Sequence, residues 1–201
     1  RLHTTAESHN RIMVLEVMGR YAGWIAIYAG IAGGADVILI PEIPFTFDSI
    51  CAKIQDREKA DKHFTLIIVA EGAREKGGEF VTAADQIAHR EARLGGIAAM
   101  VAAELEKRTG KEARTCVLGH LQRGGSPTNF DRALCSMFGA TAGGLIAGGR
   151  FGRMGTYTGA AVDSVSIAGG VGPLKRGTAA GAFVRRGRAL GVSLGGRERG
   201  V

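Results

Sequence analysis

The sequence reads as an α/β chain built on a parallel sheet with helical crossovers. Two observations carry that reading. Short apolar runs rich in β-branched residues alternate with longer segments of helical spacing. Each apolar run also stops abruptly at glycine, proline or a charged residue, as buried parallel strands do. The composition sets the class of molecule: 45% apolar and 22% charged residues over 201 positions give ample core. Disorder, a coiled coil and a disulfide-stapled mini-protein are thereby argued against.

In chain order, Ile12–Met18 (IMVLEVM) is predicted as a strand broken by Gly19 and Arg20, followed by a mostly buried helix over Tyr21–Gly33. In that helix Trp24 and Tyr28, spaced i and i+4, read as core packing. Val37–Ile40 is a second strand ended by Pro41 and Glu42. Phe47–Lys59 has helical spacing, with Asp48 or Thr46 as its cap. Phe64–Ala70 is a third strand, ended by Glu71 and Gly72. Thr82–Arg108 reads as a long helix weakened at Gly95 and Gly96 and stopped by Gly110. Arg114–Leu118 is a short fourth strand, and Asn129–Ala147 a further helix with Asp131 in its first turn. From about Ser164 neither period persists, and residues 171–201, dominated by Gly, Ala and Arg, are predicted to be disordered.

The formal charge of +7 is unevenly placed. Residues 1–140 hold 17 basic and 17 acidic side chains, whereas residues 141–201 hold 9 and 2. The surplus therefore belongs to the tail, and no folded basic face for nucleic acid is implied. Three widely spaced cysteines, Cys51, Cys116 and Cys135, fit reduced thiols rather than a disulfide framework or a zinc site. The uncharged stretch Tyr21–Ala35 is too short to span a bilayer. The chain begins at Arg1 rather than Met, so an upstream portion is expected to be absent.

Ligands of open parallel sheets bind beyond the carboxyl ends of the strands. Gly19 and Arg20, Glu42, Glu71, and His120 with Arg123 all fall at such ends, although loop residues are polar in any case. Arg11 and Arg114 fall at the amino ends. They are either solvated surface charges or groups that serve a neighbouring subunit. The string Leu118–Arg132 (LGHLQRGGSPTNFDR) holds neither a Walker-type loop nor a Rossmann glycine triplet. A Ser126, His120, Asp131 triad lacks a nucleophile-elbow sequence around the serine.

Four strings, VMGRYAGW (Val17–Trp24), AGGADVILIPE (Ala32–Glu42), VAEGA (Val69–Ala73) and LGHLQRGGSP (Leu118–Pro127), resemble the 6-phosphofructokinase family in order and spacing. The likeness is to the actinobacterial, ATP-dependent type and runs from Arg1 to about Gly155. It implies a phosphofructokinase fold, a three-layer parallel-sheet sandwich from which the nucleotide-binding half is largely missing, so that this chain is expected to be the C-terminal portion. Domains are expected at 1–122 (fructose 6-phosphate) and 123–170 (a helix and strand returning to the nucleotide domain). The implied activity is phosphoryl transfer from ATP to the 1-hydroxyl of fructose 6-phosphate. A pyrophosphate donor and a non-catalytic sugar-phosphate-binding or assembly module are the alternatives.

The resemblance makes Met18, Gly19 and Arg20 the substrate-binding Met-Gly-Arg motif, with Arg20 assisting transfer. Glu71 matches the acceptor of sugar hydroxyls, and His120 and Arg123 match contacts to the sugar phosphate. Arg11 and Arg114 match two arginines that reach the 6-phosphate from an adjacent subunit of a homotetramer. Mg²⁺ is implied as cofactor, with its ligands outside this sequence. A cytoplasmic location, with no nucleic-acid or membrane partner, is expected. Asp36 and Lys62 match charged positions of an effector site, whereas His3 and Ala60 stand where better-known members carry basic residues.

Overall fold

The four apolar runs pair side by side. In the computed structural model, which describes residues 1–82, 94–172 and 175–196, they form β1 (Ile12–Val17), β2 (Val37–Leu39), β3 (Thr65–Ala70) and β4 (Ala113–Val117). All pairings are parallel, in the order β2-β3-β1-β4, with Val17 opposite Ala70 and Glu16 opposite Val117. The central strands β1 and β3 are β-branched and almost wholly buried, as strands covered on both faces must be.

Alternation along the strands divides the core into two layers. Ile12, Val14, Val37, Leu39, Ile67 and Val69 face α3 (Phe47–Lys59) and α4 (Ile97–Thr109). Met13, Val17, Ile38, Leu66 and Ile68 face the opposite layer, which holds α1 (Leu2–Ser8), α2 (Trp24–Ala32) and α7 (Ala182–Ala189). Each fully buried Ile or Leu contributes roughly 1.5–3 kcal/mol. The three-layer α/β arrangement expected of this part of the chain is therefore present. The chain divides into two compact units, residues Arg1–Gln122 with Arg176–Val201, and Arg123–Lys175.

Several expectations are corrected. The helix expected from Thr82 begins, among the described residues, at Ile97, because Gly96 (φ 90) is its N-cap rather than a weak point within it. The stretch 83–93 of that expected helix lies outside the described residues. The first helical turn expected at Tyr21 is taken up by a tight turn, Ala22 N–H to the Gly19 carbonyl at 3.0 Å, so α2 starts at Trp24. Its outer face is exposed: Tyr28 is 52% accessible and meets Phe183 in a tilted ring contact at 4.6 Å between centroids. Trp24 and Tyr28 therefore do not fill the core.

The tail is also ordered where it is described. Val184, Val192 and Leu194 are buried, and Ser193 lies along β2, accepting the Ile38 N–H at 2.8 Å and donating its own to the Asp36 carbonyl at 3.0 Å. The edge of β2 offers unpaired main-chain groups, and this segment satisfies them. A sequence without period can do that because main-chain pairing does not depend on side-chain pattern.

In the second unit α5 (Asn129–Ala147) starts with a capping box in which Thr128 and Asp131 bond each other's main-chain N–H. A hairpin of β5 (Arg153–Tyr157) and β6 (Val162–Ser166) packs on it, with Phe138 against Gly155, and α6 (Ile167–Gly170) follows. Where one strand was expected there are two. Among the described residues no helix is long and apolar enough to cross a membrane.

Candidate functional site

Strand order decides which loops meet. Because β1 lies between β3 and β4, the loop after β1, Met18–Arg20, is flanked by Glu71 at the end of β3 and by the 3₁₀ turn Gly119–Arg123 after β4. The helices following β1 and β3 cross opposite faces of the sheet, which leaves the crevice of a doubly wound fold at this end.

The Met18–Arg20 loop is held by side chains bonded to its main chain. Gly19 and Arg20 both have positive φ, 147° and 50°, a conformation in which the arginine is strained. Glu71 Oε1 accepts both of their N–H groups, at 3.2 and 2.9 Å. Gln122 Oε1 accepts the Met18 N–H at 2.7 Å. Gly72 packs so closely that a Cβ there would fall 1.9 Å from the Arg20 carbonyl oxygen. Arg20 is exposed, with its guanidinium 5.9 Å from the Tyr21 ring centroid.

Two more carboxylates at this end bind main chain. Glu42 accepts the Gly23 N–H at 3.0 Å, capping α2, and the Gly177 N–H at 2.8 Å. Glu16, only 3% accessible, accepts from Gly96 at 3.2 Å and Ala98 at 2.9 Å, capping α4. A carboxylate at a helix N-terminus meets both unpaired N–H groups and the positive end of the dipole. Glu42 is thus a structural group rather than a crevice ligand.

His120 is exposed on the turn beside this loop. Arg123 belongs to the second unit, where it is exposed. Arg11 and Arg114 lie at the other end of the sheet, roughly 20 Å away over a six-residue strand. Both pair with Glu112, Arg11 through Nε and Arg114 through Nη2. The Arg11 hydrogen bond, with the two positive charges, holds the Glu112 carboxyl below its usual range. The structure therefore brings Met18, Gly19, Arg20, Glu71 and His120 to one end and Arg11 with Arg114 to the opposite one.

Near that amino end, His3, Asp36, Arg57, Asp61, Lys62 and His63 line a cavity of about 530 Å³. Arg57 is paired with Asp36, which also accepts the Leu66 N–H at 2.8 Å. Burial nevertheless raises the Asp36 pKa. Among the described residues no cluster of three or more His, Cys, Asp or Glu side chains could hold a metal ion, so no Mg²⁺ ligands are assigned here.

Sequence reasoning missed Gln122, Glu16, Glu112 and Gly72. Glu16 carried a signal, since one acid inside an apolar strand must find buried partners. For Gln122 the only signal was its place inside the Leu118–Pro127 string.

A parallel, doubly wound sheet with polar loops gathered at its carboxyl end defines a class of small-ligand-binding α/β proteins. The profile of the Phosphofructokinase family matches residues 1–146, and the chain belongs to that family. It is 50% identical over 195 residues to an ATP-dependent 6-phosphofructokinase of Chloroflexus aurantiacus, covering 97% of this chain and 53% of the relative. It is 47% identical over 176 residues to a pyrophosphate–fructose 6-phosphate 1-phosphotransferase of Streptomyces coelicolor, covering 87% and 51%. Phosphofructokinase from Saccharomyces cerevisiae superposes with a TM-score of 0.66 at 31% identity, over 82% of this chain and 21% of that one.

The chain thus spans about half the length of the curated relatives it matches. The C-terminal placement expected from the motifs finds no support in these matches. The first of them also reaches well into the tail, where the sequence was expected to have left the family.

Proposed function

We propose that the crevice at the carboxyl end of the sheet binds fructose 6-phosphate, and that the whole protein is a cytoplasmic, glycolytic 6-phosphofructokinase using ATP. The observation that carries this reading is the Met18–Arg20 loop, held in a strained conformation by Glu71 and Gln122 beside His120. Strain of this kind persists where surrounding structure fixes it, and it accompanies ligand sites.

In this reading Glu71 Oε1 orients the loop while its second oxygen accepts a sugar hydroxyl. His120 binds the sugar phosphate by a charge-assisted hydrogen bond, and the family resemblance alone gives Arg123 the same role. The 1-hydroxyl attacks the terminal phosphorus of ATP in line as the bond to the departing ADP breaks, its proton passing to an aspartate that the family resemblance places outside this sequence, and Arg20 faces the charge that develops on the transferring group. Mg²⁺ would supply further neutralisation of that charge when bound with the donor. Arg11 and Arg114 are too far from Arg20 to share its ligand within one copy, which supports their serving a neighbouring copy in a homo-oligomer, a tetramer by family resemblance. No nucleic acid or membrane enters this reading.

The experiment is titration calorimetry with fructose 6-phosphate beside a coupled assay with ATP and with pyrophosphate. Binding is expected, together with turnover on ATP in the whole protein. Turnover only on pyrophosphate would favour the second reading, which the name of the Streptomyces relative supports. Binding without turnover on either donor would favour a sugar-phosphate-binding module, and absence of binding would sink the proposal.

A further inference from the structure

We propose that Gln122 is a positioning residue, which fixes the Met18–Arg20 loop to the turn carrying His120 so that both meet one ligand. The inference deepens the fructose 6-phosphate reading and rests on it.

The hydrogen-bond ladder of the sheet breaks at this point. Along β1 and β4 the Leu118 N–H donates to the Glu16 carbonyl at 3.2 Å. In a parallel pair the next rung would send the Met18 N–H to the Leu118 carbonyl. That carbonyl instead accepts the Leu121 N–H at 3.0 Å, because the chain has closed into the 3₁₀ turn. The turn that carries His120 thus takes away the acceptor Met18 would have used. Gln122, in the same turn, supplies a replacement, its Oε1 standing 2.7 Å from the Met18 nitrogen.

On the other side of β1 the Glu71 N–H donates to the Val17 carbonyl at 2.9 Å, and Glu71 Oε1 takes the next two amides of the loop. Three consecutive N–H groups, Met18, Gly19 and Arg20, are consequently held by side chains from the two flanking strand ends. The Glu71 tie runs to β3. Gln122 is the tie to the side on which His120 stands. An amide suits this position because it accepts the hydrogen bond without placing a negative charge beside an incoming phosphate.

The test compares wild type, Gln122→Ala and Gln122→Glu by three measurements: amide hydrogen exchange at Met18–Arg20 without ligand, titration with fructose 6-phosphate, and the Trp24 fluorescence change on titration. Trp24 is the single tryptophan and opens α2 four residues after Arg20. For Gln122→Ala, exchange at Met18 should quicken and affinity fall by about tenfold, the equivalent of one hydrogen bond. Gln122→Glu keeps the acceptor, so it should restore Met18 protection, while its charge keeps affinity low. If Gln122→Ala fails to fold, Gln122→Asn, one methylene too short to reach, carries the same comparison.

Wild-type protection and affinity in Gln122→Ala would overturn the inference and leave the reading of the site intact. Quickened exchange with unchanged affinity would overturn it too, reducing Gln122 to a structural group. Failure of wild type itself to bind fructose 6-phosphate would bring down both, and is told apart because it appears before any variant is made.

Discussion

The two ends of one sheet use their carboxylates in opposite ways. At the carboxyl end Glu16, Glu42 and Glu71 accept main-chain N–H groups. At the amino end Glu112 pairs with the side chains of Arg11 and Arg114, while the largely buried Asp36 combines both modes, pairing with Arg57 and accepting the Leu66 N–H. A carboxylate bonded to main chain fixes backbone geometry and is little affected by salt. A carboxylate bonded to an exposed arginine competes with any anion that could take its place and is screened by ions. The first arrangement builds a rigid site, and the second leaves cations that an incoming phosphate can take over.

That contrast can be broken most severely at Gly72. A Cβ there would overlap the Arg20 carbonyl, which is main chain and cannot swing aside. Gly72→Ala should cost about 3 kcal/mol or more and abolish fructose 6-phosphate binding, seen by denaturant unfolding and calorimetry. Glu16→Ala comes next. It leaves two N–H groups at the start of α4 without a buried acceptor, for a loss of about 2–3 kcal/mol. Glu71→Ala removes two bonds at a half-exposed position, with an expected loss of about 1–2 kcal/mol. Its affinity for the sugar phosphate should drop further than its stability does. If all three left the loop amides as protected as in wild type, the carboxyl end would not be the rigid region described.

Much of this was legible in the sequence, for a physical reason. Strands buried on both faces must be apolar throughout, so Ile12–Val17 and Thr65–Ala70 stood out within a residue of their limits. The helix Phe47–Lys59 was legible and its cap was narrowed to Asp48 or Thr46, of which Thr46 is the one, because capping is local. Glu71, Arg20 and His120 followed from one topological rule about strand ends. What could not be read depended on partners distant in sequence. Gln122 reaches Met18 across 104 positions, and Ser193 pairs with β2 through main chain that carries no side-chain signature. Arg11 and Arg114 were placed correctly at the amino ends, but Glu112, which joins them, reads in the sequence as one more surface acid.

The smallest expected effect concerns that joining residue, and it separates the two ends most cleanly. Glu112→Gln should change the melting temperature by no more than about 2 °C at neutral pH, since exposed ion pairs contribute little. Acid reveals more. The Arg11 hydrogen bond and both arginine charges lower the Glu112 pKa in the folded state. A carboxyl so depressed contributes its stability above the ordinary glutamate range and loses it as pH falls through the lower, folded value. Wild type should therefore lose a small increment of stability in that acidic window, and Glu112→Gln should not. The neutral amide also competes less for Arg11 and Arg114, so in an assembled protein the same variant should bind fructose 6-phosphate more tightly, with a gain that shrinks as salt is added. Tighter binding that ignored salt, or weaker binding, would mean that Glu112 holds the arginines ready rather than occupying them, and the contrast between the two ends would disappear.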